Sequence, residues 1–189
     1  MKSLKPLALF NASYVGRQPT GIGVVARDLA KSLDPSLVTI LDPIEEFFPN
    51  NIDIPKNLSP ENGTKGHVRR LLWTQTCLPK LLKKTGAEFL ISPLPEAPLF
   101  RGVKSLVFAH DLIPLRYPQF SPLLAYHLAY VPLVLHRSVR IFCNSDATKK
   151  ELNEYLKIPL KKIVKVPLGF DQKKIFSLNS PREPYFLVL

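Results

Sequence analysis

Cysteine is scarce in this chain. Its 189 residues hold two, Cys77 and Cys143, far apart and without paired spacing. That excludes a disulfide framework and a cysteine metal site, and makes a reducing compartment the default. Glycine is scarce too, 8 against 19 prolines. The prolines are scattered among apolar runs, so they mark element boundaries and not a low-complexity segment. No window reaches the roughly 18 apolar residues that a spanning helix needs. The densest, PLLAYHLAYVPLVLH at 122–136, carries two histidines and two prolines. The start, MKSLKPLALFNASY, has two lysines, but its apolar run is short and gives way to polar residues, which suits a first strand better than a signal peptide. Acidic residues are in short supply, 15 against 26 Lys and Arg, for a formal net charge of +11. Such a surplus fits nucleic acid, an anionic membrane surface or a phosphorylated substrate, with plain solubility as the alternative. Zinc spacing and an RNA-binding aromatic motif are both missing, and Trp73 is the one tryptophan, so nucleic acid is set aside.

What is present is apolar sequence in strand-length pieces. Hydrophobic residues make up 46% of the chain, enough for a globular domain with a real core. Runs recur at Leu4 to Phe10, Leu37 to Leu41, Glu88 to Ile91, Ser105 to Ala109, Val139 to Cys143 and Ile163 to Val166. Most are continuous, as strands buried on both faces of a parallel sheet should be. Helix-like stretches separate them: Gly23 to Leu33, with Val25, Leu29 and Leu33 on one side, then His67 to Lys84, Pro122 to Arg137 and Ala147 to Leu156. Strand alternating with helix predicts an α/β, doubly wound, Rossmann-like parallel sheet. No internal repeat is visible.

Four stretches can carry chemistry. In PTGIG, Gly21 and Gly23 flank one isoleucine where a helix is about to start. Glycine is costly inside a helix and useful just before one, and a helix start suits phosphate. GIGVVA also satisfies the dinucleotide pattern G-x-G-x-x-A, with Asp42 following at a fitting distance. Against an NAD(P)-binding domain, NASYVGRQPT intervenes between Phe10 and Gly21, and this longer loop brings in Arg17. A purely structural turn is the third alternative. In SLVFAHDLIPLRYP, a buried strand delivers His110 and Asp111 to its carboxyl end, where open parallel sheets bind ligands; the histidine can bond a sugar hydroxyl or stabilise developing charge. In FCNSDATKKEL, Asn144, Ser145 and Thr148 follow a strand and open a helix, and capping alone accounts for Ser145. In VPLGFD, Gly169 supplies a turn and Asp171 a carboxylate.

Taken together and in order, PTGIG, HDLIPLRYP, NSDATKKEL and VPLGFD resemble the amino-terminal domain of a retaining glycosyltransferase of the GT-B fold, in the large family-4 group. HDLIPL is the most specific of these landmarks. The resemblance covers nearly the whole chain. It implies a Rossmann-like acceptor-side domain over residues 1–170, an interdomain linker over 171–183, and the first strand of a carboxyl-terminal domain over 184–189. It implies a nucleotide-sugar donor, GDP-mannose or a UDP-sugar, and a glycan or lipid-linked acceptor, with no cofactor and no metal. Gly21 and Gly23 then fall by the donor diphosphate and His110 by the transferred sugar. Arg17, Asp111 and Ser145 become candidates for acceptor or sugar. The family's basic pair and paired glutamates belong to the second domain, so the chain alone is expected to be inactive. A non-catalytic interaction domain is the remaining alternative.

The surplus charge has one concentrated stretch. Residues 65–84, KGHVRRLLWTQTCLPKLLKK, hold six Lys and Arg and no acidic residue, with leucines and Trp73 interleaved. That composition suits a helix lying on an anionic bilayer and equally a helix packed on the sheet with a solvated basic face. A cytoplasmic protein, peripheral at the inner face of the membrane, is the corresponding expectation.

Overall fold

The computed structural model describes residues 5–169 apart from 20, 45–47, 49, 100–101 and 119–123. The linker and final strand expected over 171–183 and 184–189 lie outside the described residues, as does Asp171. Seven strands among the described residues form one sheet: β1 (Ala8–Asn11), β2 (Val38–Asp42), β3 (Asn51–Asp53), β4 (Phe89–Ser92), β5 (Lys104–Phe108), β6 (Arg140–Cys143) and β7 (Ile163–Lys165). Every pairing is parallel, and the order is β3-β2-β1-β4-β5-β6-β7. This is the doubly wound arrangement that the alternating apolar runs predict.

Covering both faces of the sheet explains why its central strands are continuously apolar. All four residues of β1 are buried. Ala8 and Phe10 point to a core shared with Ala26 and Ala30 of α1 (Ile22–Ser32), while Leu9 points to the opposite core. That second core joins Trp73 of α2 (Gly63–Thr76), Leu78 and Leu82 of α3 (Leu78–Thr85), Val134 and Leu135 of α5 (Val131–Arg137), and Leu152 of α6 (Asp146–Glu154). A short α4 (Ile113–Arg116) precedes α5. Burying side chains the size of Phe10 or Leu9 contributes about 1.5–3 kcal/mol apiece.

Four elements differ from expectation. The buried seam of α1 is Gly23, Ala26 and Ala30, with Leu29 and Leu33 packed at its flank. Small residues let the helix approach the sheet, so the Val25–Leu29–Leu33 side is not the central one. The stretch from His67 to Lys84 is two helices that break at Cys77, since Pro79 has no N–H for a continued helix. The stretch ending at Arg137 passes through a π turn over Tyr126–Tyr130 before α5 begins. β3 answers to none of the expected strands.

Candidate functional site

The chain leaves β1 toward β2 and β3, then returns across the sheet to β4 on the other side of β1. The loops after β1 and β4 therefore diverge at the carboxyl edge, the topological switch point where doubly wound sheets take ligands. The loop after β1 starts buried, at Ala12 and Ser13. It is then clamped by a distant side chain: Glu61 Oε1 accepts the amides of Arg17 at 2.7 Å and Gln18 at 3.4 Å. A Cβ on Gly16 would lie 2.5 Å from that oxygen, so the clamp requires glycine there. The loop ends at Gly21, whose φ of 49° favours glycine. Gly21 is exposed with open space around it, whereas Gly23 is buried against Pro19. Its N-cap residue, Gly21, has no side chain to cap α1, and the first turn holds no acidic residue. The Val24 and Val25 amides bond back to the Gly21 carbonyl, and the amides of Ile22 and Gly23, ahead of them, lead the helix and carry a partial positive charge.

The loop after β4 is held from below by a buried ion pair. Arg70 of α2 and Glu96 meet in a two-pronged contact: Nε donates to Oε2 at 2.7 Å and an Nη to Oε1 at 2.9 Å. Both side chains are essentially inaccessible, 3% and 1% exposed. Arg70 also donates to the Leu58 carbonyl and to His67 Nδ1, and the Tyr14 ring lies 5.2 Å from its guanidinium carbon. The Tyr126 hydroxyl donates to Glu96 Oε1, and the Tyr130 hydroxyl to the Ala97 carbonyl. Burial, and then the Glu96 charge, push both phenols well above their ordinary range, so they stay protonated donors.

His110 stands at the carboxyl end of β5, beside this loop. Its Nε2 lies 2.9 Å from the Pro93 carbonyl. A carbonyl only accepts, so Nε2 carries the hydrogen and Nδ1 of the neutral ring is left as an acceptor. Its own carbonyl accepts from Thr148 Oγ1. His110 lines a hollow of about 140 Å³ together with Ile22, Pro95, Asp111, Tyr126 and His127. The start of α1 and His110 thus border one space, although they lie far apart in sequence.

The other candidates fall elsewhere or are engaged. Asp111 lines the same hollow, and its Oδ1 accepts the Ile113 amide at 3.0 Å. Arg17 lines a different hollow of about 340 Å³ with Pro43, Lys56 and Glu61, at the ends of β1 and β2. Ser145 caps α6, its Oγ accepting the Thr148 amide at 3.1 Å, as capping alone predicts. Asp42, the ribose-binding candidate of a dinucleotide site, is wholly buried and accepts the Ile44 amide. It therefore offers no carboxylate to the crevice, which counts against the NAD(P) alternative.

The sequence matches the model of Glycosyltransferase Family 4 over residues 19–174. The chain belongs to this family. The match takes in Gly21, Gly23, His110, Asp111 and Ser145 and leaves Arg17 just outside. None of the curated proteins matches the chain. For this glycosyltransferase domain, a sugar donor and an acceptor are the implied substrates.

Sequence reasoning missed Gly16 with Glu61, and Arg70 with Glu96. The first had a signal, a glycine directly before Arg17 in a loop already under suspicion. Glu96 also stood out, one carboxylate within the apolar SPLPEAPL that follows β4. Its pairing with Arg70 carried none.

Proposed function

We propose that this domain is the acceptor-side half of a retaining hexosyltransferase of GT-B architecture, with residues 1–170 forming the domain, 171–183 a linker and 184–189 the first strand of a donor-binding half. A nucleotide-sugar, GDP-mannose or a UDP-sugar, is the donor, and a glycan or lipid-linked hydroxyl is the acceptor. The observation that carries the reading is the shared border of the hollow: a helix start at Ile22, preceded by an open Gly21 and free of acidic side chains in its first turn, beside a histidine of fixed hydrogen-bond direction. The helix start suits the diphosphate. His110 Nδ1 suits a sugar hydroxyl, accepting a hydrogen bond from it and so holding the ring of the transferred sugar. Arg17, in its separate hollow, is the acceptor-side candidate.

Chemically, the diphosphate leaves as an anion while positive charge develops on the sugar. Fixed amides at the leaving group and a fixed acceptor on the sugar stabilise that separation without reorganising at the moment of reaction. The test is transfer by the enzyme containing this domain and its donor half, with the product anomer read by NMR. His110→Ala is expected to lower kcat by roughly 10²- to 10³-fold, the scale for one preorganised contact, with a much smaller effect on donor affinity. Near-normal turnover per folded molecule would remove His110 from the site. An inverted anomer would reject the retaining assignment.

A further inference from the structure

Two neighbouring helices present a face to water that their packing does not explain. α2 and the helical stretch Tyr126–Arg137 lie side by side, joined where His67 meets the Tyr126 ring at 4.7 Å and Gln75 bonds the Tyr130 hydroxyl at 3.0 Å. Their outward stripes carry large apolar side chains: Val68 at 48% and Leu72 at 62% exposure on the first, Leu128 at 48% and Leu133 at 46% on the second. Lys65, Arg69, Lys80, Lys83 and Lys84 stand exposed along α2 and α3. No ion pair holds any of the five among the described residues. Neither 63–85 nor 124–137 contains a carboxylate.

We propose that this two-helix face docks on an anionic lipid bilayer. The inference goes beyond sugar transfer and stands whatever the domain transfers. Charge complementarity selects the sign of the partner, and the exposed leucines select its kind. On α2 the cations Lys65 and Arg69 stand three residues before Val68 and Leu72 respectively, on one helix face, and cations beside projecting aliphatic side chains match the boundary between headgroups and acyl chains. A single-stranded nucleic acid would call for exposed aromatic rings to stack on, and Trp73, the one tryptophan of α2, is buried. Among the described residues no helix is long and apolar enough to cross a membrane, so the contact is peripheral. Each helix runs back from the carboxyl edge of the sheet, so docking would lay the rim of the His110 hollow near the lipid surface.

The experiment is co-sedimentation of the full chain with phosphatidylcholine vesicles, with and without phosphatidylglycerol. Binding is expected to the anionic vesicles alone and to fall with added salt. Each cation near such a surface contributes roughly fivefold in partition. Lys65→Glu, Arg69→Glu and Lys80→Glu together should therefore weaken binding by about 100-fold or more. Lys31→Glu, Lys157→Glu and Lys161→Glu together make the same change of net charge on other surfaces and should leave most of the binding. Leu72→Asn with Leu128→Asn should weaken binding without changing its salt dependence. All substituted positions are exposed, and an unchanged melting temperature verifies the fold. Equal loss in both charge variants, equal binding to neutral vesicles, no binding to either, or tighter binding to a soluble polyglutamate would each overturn the proposal.

Discussion

Removing one partner of the Arg70–Glu96 pair should be among the most damaging single changes available to this domain. Both side chains are buried, and together they engage the Leu58 carbonyl, His67 and the Tyr126 hydroxyl. Arg70→Met leaves the Glu96 carboxylate buried, with the Tyr126 hydroxyl as its remaining donor among the described residues. Glu96→Leu leaves a buried guanidinium facing an apolar side chain. Breaking a buried pair from one side costs about 3–5 kcal/mol, because an uncompensated charge stays behind. At roughly 2–4 °C per kcal/mol for a domain of this size, the melting temperature should fall by about 6–20 °C. Arg70→Met with Glu96→Leu removes both charges, so the double variant should be more stable than either single one. Urea unfolding of the four proteins, with m-values compared to verify a common denatured state, measures the coupling. Singles within about 1 kcal/mol of the parent, or a double as costly as the two singles added, would refute the reasoning.

Two further outcomes follow from the structure. Gly16→Ala should loosen the loop after β1, because the new methyl would displace Glu61 from the Arg17 and Gln18 amides; the expected loss is about 0.5–1.5 kcal/mol, the scale of an exposed hydrogen bond, and faster proteolysis between β1 and α1 is the local readout, with unchanged cleavage counting against the clamp. Acidification should also destabilise the fold. His67 is held below its ordinary 6.5 chiefly by burial, with Arg70 and His127 lowering it further against the pull of Glu96; burial likewise lowers His127 against Asp111. Near pH 6 the unfolded chain therefore binds more protons than the fold, so this stability is complete above about 6.5 and is lost as pH falls through it. A thermal series from about pH 8 to about 5.5 checks this: the parent should lose stability on the acidic side, and His67→Gln with His127→Gln should flatten the profile. A parent that gains stability on acidification in that window would contradict the assignment.

The sheet was readable because parallel strands buried on both faces cannot alternate, and the runs around Phe10, Ile40, Leu90, Val107 and Ile141 do not. The ends of the other strands differ by at most one residue, where side-chain burial and backbone pairing stop at different places, whereas β1 begins at Ala8, four residues after the expected Leu4. β3 was unreadable for a physical reason. Its three residues, Asn51, Ile52 and Asp53, are partly or largely exposed and pair only with β2, so no apolar run exists to be seen. The helix break at Cys77 was written in Pro79 and passed over in favour of the periodicity around it. The seam of α1 misled because small residues, not large ones, let that helix sit close to the sheet. In the candidate site, PTGIG and HDLIPL were visible as local signals, the first at the start of a helix and the second just after a strand end. The pairing of Arg70 with Glu96 was not, since a contact across 26 residues leaves no periodic trace.

The network at the carboxyl edge gives stability and chemistry a common origin. Ser145 caps α6 and holds the Thr148 amide; Thr148 Oγ1 in turn holds the His110 carbonyl. Arg70 and Glu96 fix the loop after β4, and Pro93 of that loop fixes the His110 ring through Nε2. The histidine is therefore set at both its backbone and its side chain, by two elements that approach from opposite sides of β5. Under the proposed reaction this division has a consequence. With Nε2–H taken up by a carbonyl, the ring meets the sugar as an acceptor, and anion stabilisation is left to the start of α1. A variant that keeps the imidazole but frees Nε2, such as one that displaces Pro93 by shifting the β4 loop, should lose turnover while His110 remains in place. The Arg70→Met and Glu96→Leu double variant is that case: more stable than either single change, yet with the loop no longer pinned by charge. Turnover lost in the double variant, at a temperature where it is fully folded, would separate positioning of His110 from stability. Full turnover there would assign the ion pair to the fold alone.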